Sequence, residues 1–142
     1  MKWEDFIGLS STPTVNVIEA EKVVAFAQAL GLQGDRNEHH ILRQLPTFPR
    51  TFNYGEVPRM KWPSSGLIHA EQSYQYDAPL RIGDVLTCYQ QLTDVKRKTG
   101  KSGNMTFLYV EQRGLDENKE PRFISKRTLI VPEHVAARGG VQ

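Results

Sequence analysis

The sequence predicts an α+β domain built from one amphipathic helix, an irregular proline-rich segment and a four-strand antiparallel meander. Three observations predict it. Apolar residues recur at helical spacing in one long stretch, from Asn16 to Leu30. Pro46, Pro49, Gly55, Pro58 and Pro63 then interrupt any long period up to Ser65. After Gly66 the texture changes to alternating runs separated by turn residues. One helix face and one sheet face would bury each other.

In the helix, Ala20, Val23, Val24, Ala27 and Leu30 form one stripe while Glu19, Lys22 and Gln28 face elsewhere. Asn16 followed by Glu19 has the pattern of a capping box, and Gly31 stands where a helix commonly ends in the left-handed conformation. Thr14, Val15 and Val17 ahead of it have the character of a short edge strand. Between Gln33 and Ser65 at most one short helix fits, over the window Thr47 to Tyr54, with Pro49 in its first turn.

The first meander strand is Leu67 to Tyr76, with Ile68, Ala70, Tyr74 and Tyr76 on one side and His69, Glu71, Ser73 and Gln75 on the other. Asp84 to Val95 is the second. Asn104 to Gln112, apolar on both faces at its centre, reads as a central strand. Arg122 to Val131 is the fourth, with Ile124, Thr128 and Ile130 alternating. Pro79 to Asp84, Lys98 to Gly103 and Gly114 to Asn118 supply the turns. The domain is expected to span 1–133, with a loose tail over 134–142.

Composition excludes several classes. A chain of 142 residues, 39% hydrophobic with net charge +2, has the make-up of one folded domain rather than a disordered segment. Its longest apolar runs, such as Val23 to Ala27, are far short of the roughly 20 residues a membrane helix needs. The acidic start, Glu4 and Asp5, is unlike a signal peptide, and Cys88, the one cysteine, has no internal partner; a cytoplasmic setting is expected. Eighteen basic against sixteen acidic residues are too balanced to argue for nucleic acid.

The run Gly66-Leu67-Ile68-His69-Ala70-Glu71-Gln72-Ser73-Tyr74-Gln75-Tyr76, followed by Ala78-Pro79-Leu80-Arg81-Ile82-Gly83-Asp84, resembles the MaoC-like dehydratase family, in particular its N-terminal-domain type, the FAS1-like dehydratase domain. Phe26 to Gly31, Pro46-Thr47-Phe48-Pro49 and Gly103 to Phe107 match further segments, so the resemblance runs from about residue 12 to 132. It implies a hot-dog fold, an antiparallel sheet wrapped around a central helix, here truncated among the prolines. It also implies an acyl-thioester hydratase or dehydratase subunit, a lyase of fatty acid metabolism. Such a subunit interconverts trans-2-enoyl and (R)-3-hydroxyacyl thioesters. Coenzyme A or acyl carrier protein is part of the substrate, and no redox cofactor or metal is involved. The implied partners are a second copy, in a homodimer or larger homo-oligomer, or a catalytic hot-dog subunit in a heteromer of which this chain is the non-catalytic half.

Active members carry an aspartate and a histidine in a Gly-Asp-x-Asn-Pro-aliphatic-His motif. Gly34-Asp35-Arg36-Asn37-Glu38-His39-His40 keeps Gly, Asp, Asn and His at those offsets but has Glu38 for the proline and His39 for the aliphatic residue. Asp35 and His40 are therefore the candidate catalytic pair, the carboxylate to orient water and the imidazole to move protons. A helix start near Pro46 or Thr47 would offer N–H donors to the enolate oxygen. The same residues also suit a polar surface loop. His69, Phe48 and Phe52 are candidate substrate contacts, with an interior or structural role as the alternative for each. Lys98 and Lys101 are candidates for phosphate or carrier-protein contact, or a solvated turn. A non-enzymatic acyl-thioester binding module and a hot-dog thioesterase remain alternatives, since fold does not settle chemistry.

Overall fold

A computed structural model describes residues 2–32, 37–63, 65–101 and 103–136. A 3₁₀ turn at Trp3–Phe6 leads to β1 (Thr14–Val17), α1 (Ala20–Ala29), α2 (Glu38–Arg43) and a second 3₁₀ turn at Phe48–Thr51. Then come β2 (Ile68–Tyr76), β3 (Val85–Gly100), β4 (Gly103–Leu115), β5 (Pro121–Pro132) and a final turn of helix, α3 (Glu133–Ala136). The strands form one five-stranded sheet in the order β1-β3-β4-β5-β2, and every neighbouring pair is antiparallel. This is the hot-dog arrangement.

The expected helix is shorter than its apolar stripe suggested. Glu19, not Asn16, is the N-cap, and Asn16 belongs to β1. Its amide donates to the Asn53 carbonyl at 2.8 Å and its side-chain oxygen accepts the Asn53 N–H at 2.9 Å, so the capping-box pattern was a tether to the irregular segment. The other end agrees with the sequence. Gly31 has φ +79°, and the Gly31 and Leu32 N–H groups donate to Gln28 and Ala27, which completes a Schellman ending.

The meander is corrected in one respect. β3, β4 and β5 follow one another by hairpins, but β2 pairs with β5 and occupies the far edge of the sheet. The turn-rich stretch from Asp77 to Asp84 is therefore a crossover from that edge to β3, not a hairpin. Arg122 holds it: its guanidinium donates to the Pro79 carbonyl at 2.6 Å and to Asp84 at 2.7 Å.

The segment between β1 and β2 covers the concave face with α1, α2 and the 3₁₀ turn; among the described residues no helix between α1 and β2 exceeds six residues. Two apolar clusters fill the space beneath. One joins Val23, Ala27, Ile41, Leu42, Leu45, Phe48, Phe52 and Tyr54 to Leu86, Cys88 and Phe123. The other joins Trp3, Phe6, Val57 and Met60 to Leu92, Leu108, Val110, Leu129 and Val131. Val135 of α3 belongs to the second cluster, so the expected tail from His134 begins with a packed turn of helix.

A polar belt separates the clusters. Tyr74, Ser125, Gln112 and Gln90 stand opposite one another across β2, β5, β4 and β3. Gln72 donates to Ser125, Gln112 to Gln90, and Gln90 to the Gly55 carbonyl at 2.7 Å. Ser11 donates to the Tyr54 carbonyl and accepts the Gln90 N–H. Partners of this kind make burial of polar groups tolerable.

Candidate functional site

The candidate dyad lies at the entry to α2. Asn37 is the N-cap, and its side-chain oxygen accepts the His40 N–H at 3.1 Å, which places His40 in the first turn. Ile41 and Leu42 turn into the core beside Val23 and Ala27, and the opposite face presents Glu38, His39 and His40 to solvent. The His40 ring lies 3.3 Å from the Gln44 amide nitrogen. Asp35 lies outside the described residues.

The helix start near Pro46 and Thr47, expected to supply oxyanion donors, is a 3₁₀ turn in which two of the N–H groups are already engaged. Phe48 donates to Leu45 and Arg50 to Thr47, while Pro49 has no N–H. Its aromatic residues are interior. Phe48 is 1% exposed and meets Phe26 and Phe52 edge-on, and Phe52 also touches Phe123.

His69 does not lie on the face that alternation predicted. A bulge between His69 and Glu71 shifts the register, so His69 stands opposite the buried Leu129, on the same face as Gln72, Tyr74 and Tyr76. The parity of β5 differs likewise: Phe123, Ser125, Leu129 and Val131 point inward, rather than Ile124, Thr128 and Ile130. Arg127 shares that inward parity. Partial burial, then Arg127 and Arg50, hold the His69 imidazole below its ordinary pKa. Burial, then Arg50, lowers Arg127, and burial raises Tyr74 despite both arginines. The Tyr74 hydroxyl and Arg127 Nε are buried and have no hydrogen-bond partner among the described residues.

Lys98 and Lys101 are exposed at the β3–β4 hairpin, with Lys98 Nζ 4.5 Å from the centre of the Phe107 ring. Cys88 is wholly buried, and burial pushes its thiol up to about 12, which leaves it no nucleophilic thiolate at neutral pH. An apolar groove of about 430 Å³ runs from Leu42 and Leu45 past Pro46 to Tyr76 and Leu80. The Tyr76 hydroxyl donates to the Pro46 carbonyl there. Sequence reasoning missed this groove and also Arg50, Tyr74 and Arg127. Arg127 carried a signal, since it sits two residues from both Ser125 and Leu129 on a strand that needs an apolar face.

The sheet order and the short helical cover define a hot-dog domain. The family described as "FAS1-like, dehydratase domain region" matches residues 5–123, and the chain belongs to that family. The MaoC-like resemblance of Gly66 to Asp84 stands with it. A "UPF0336 protein" of Thermobifida fusca is 34% identical over 61 residues, which cover 39% of this chain and 40% of that protein. The match thus spans about two fifths of that relative's length. Among solved structures, a C-terminally truncated HadBC (3R-hydroxyacyl-ACP dehydratase) complex from Mycobacterium tuberculosis superposes with TM-score 0.63 at 14% identity, over 89% of this chain and 98% of the other. The ChsH1-ChsH2 complex from the same organism gives 0.63 at 13% identity, covering 85% and 83%. The R-hydratase PhaJ1 from Pseudomonas aeruginosa gives 0.56 at 16%, covering 89% and 82%. At these identities the likeness is one of fold.

Proposed function

We propose that the chain is a hot-dog subunit of an acyl-thioester hydratase/dehydratase, interconverting trans-2-enoyl and (R)-3-hydroxyacyl thioesters of coenzyme A or acyl carrier protein. The observation that carries this reading is the Asn37 cap. In a domain of this family, the motif asparagine accepts the His40 N–H and seats the histidine on an exposed first turn, five residues beyond Asp35 in the sequence. In the hydration direction, Asp35 orients a water toward carbon 3, and the His40 imidazole passes a proton that ends at carbon 2. The bond made is C3–O, and the C2–C3 double bond is consumed. The apolar groove lined by Leu42, Leu45, Pro46, Tyr76 and Leu80 has a size and character that suit an acyl chain.

The enolate oxygen that develops needs donors. The turn at Phe48–Thr51 has its Phe48 and Arg50 N–H groups committed, which favours completion of the site by a second hot-dog unit. The same observation favours a second reading, in which this chain is the non-catalytic half of a heteromer. β2 has a neighbour on one side only, and its outer edge is the surface for pairing with either partner.

Hydration of a trans-2-enoyl-CoA by the wild-type chain, Asp35→Asn and His40→Ala separates the readings. A catalytic dyad predicts that each substitution lowers kcat by about 10²–10⁴-fold, the usual contribution of general acid–base catalysis. Unchanged turnover in both variants removes the dyad. Turnover that appears only when a second hot-dog subunit is added, and survives both substitutions, identifies the non-catalytic half.

A further inference from the structure

Arg50, His69, Tyr74 and Arg127 converge on the inner face of the sheet at its β2 side. Arg127 stands opposite Gln72, Tyr74 opposite Ser125 and His69 opposite Leu129, while Arg50 approaches from the 3₁₀ turn and acts electrostatically on the other three. Arg50 and His69 are exposed, Tyr74 and Arg127 half-buried, so the cluster is open to solvent on one side and closed on the other.

Two features are unusual for a structural cluster. Neither arginine has an ion pair among the described residues, whereas Arg122, on the same strand, has Asp84 at 2.7 Å and the Pro79 carbonyl. Among the described residues the hydroxyl of Tyr74 and Nε of Arg127 are also buried without partners, as is Nε of Arg122, whose Nη2 is paired; the neighbouring belt from Gln72 to Gln90 satisfies itself within the fold. Buried donors without acceptors, beside like charges without a counter-charge, are costly to keep unless something external satisfies them.

We propose that Arg50, His69, Tyr74 and Arg127 form a binding site for the carboxylate of a small-molecule ligand, separate in sequence from Asp35 and His40. A carboxylate has two oxygens and about four lone-pair positions, enough for a phenol O–H and a guanidinium fork together. Placed between the arginines it replaces repulsion by attraction. A group that concentrates two charges on one centre, as phosphate does, suits the half-buried position less well than a single carboxylate, because the cost of desolvation rises steeply with local charge. The site stands whether or not this chain catalyses hydration.

The test follows the His69 ring by NMR while sodium acetate, disodium succinate or sodium phosphate is added to the full chain. The charged groups facing His69 are Arg127 of β5 and Arg50 of the 3₁₀ turn. A bound anion between them raises the imidazole pKa, so by linkage acetate binds more tightly at pH 6 than at pH 8. Saturable binding of acetate or succinate with that upward shift is expected, weakened about tenfold in Arg50→Gln and in Arg127→Gln, the loss of one charge-assisted bond. Tyr74→Phe weakens it while keeping the ring. Arg50 is exposed, so its variant keeps the test valid if Arg127→Gln fails to fold. No saturable response in the wild type overturns the proposal, as does an unchanged response in Arg50→Gln. Tighter binding of phosphate than of the carboxylates overturns the assignment to a carboxylate.

Discussion

Gly114 shows how a single residue sets the packing of the core. A Cβ there would lie 2.2 Å from Cε1 of Phe123, whose ring occupies that space and touches Phe52, Tyr54 and Tyr76. Gly114→Ala therefore displaces the ring and lowers stability by about 1–3 kcal/mol in denaturant unfolding, the usual cost of overpacking. An unchanged midpoint would contradict the packing described. Gly55 is constrained through the backbone: its φ is +73°, and a Cβ would fall 1.9 Å from the Thr12 carbonyl oxygen. At Cys88 burial decides chemistry. The native thiol should resist a charged disulfide reagent at pH 8 and react fully once the chain is unfolded; rapid native reaction would show that the first cluster is open. Some single residues were legible in the sequence. Gly31 and the structural reading of Cys88 follow from local rules. His69 was not, because one bulge reverses the face of every residue before it.

Elements were legible where their own residues specify them and not where distant pairing does. α1 and the four long strands follow from local periodicity, although α1 starts four residues after Asn16, where the expected stretch begins, and β3 continues past Val95 to Gly100, through residues 98–100 that the sequence reads as a turn and that pair with 103–105. The placement of β2 beside β5 depends on a crossover, and no alternation within Ile68–Tyr76 encodes that neighbour. Asn16 illustrates the same limit: its spacing to Glu19 suggested a cap, while its partner Asn53 is 37 residues away. The first 3₁₀ turn is tied to β3 by Glu4 and Arg97, whose groups meet at 2.6 and 2.8 Å. The Arg97 hydrogen bond holds the Glu4 carboxyl below the usual range. A depressed folded-state value means the pair stabilises above the unfolded carboxyl pKa, and that contribution is lost as pH falls through the lowered value. Both side chains are more than a third exposed, so the effect stays below about 1 kcal/mol. Glu4→Gln should thus lower stability slightly at pH 7 in low salt, with the difference vanishing in acid. A difference that persists at acid pH would assign the effect to packing.

For the whole molecule, the belt from Tyr74 to Gln90 divides the interior, and the sheet ends in two edge strands, the four-residue β1 and the nine-residue β2. No described helix is long and apolar enough to cross a membrane. An unpaired edge of nine residues beside a polar cluster is suited to a second hot-dog unit, and sedimentation equilibrium should return a mass of at least two chains, alone or with a catalytic partner. A monomer under both conditions would contradict the pairing. The family was legible in the contiguous run from His69 to Asp84. The proposed division of labour with a second unit was not, because a site completed by another chain would be written in two sequences.

The most direct test of the central claim is conversion of a trans-2-enoyl-CoA by the purified chain, alone and with a second hot-dog subunit, with the product resolved for stereochemistry. The account predicts saturable loss of the enoyl thioester and formation of the (R)-3-hydroxyacyl thioester under at least one of the two conditions. Release of free coenzyme A from saturated acyl-CoA without hydration, or no interaction with any acyl thioester, would contradict it.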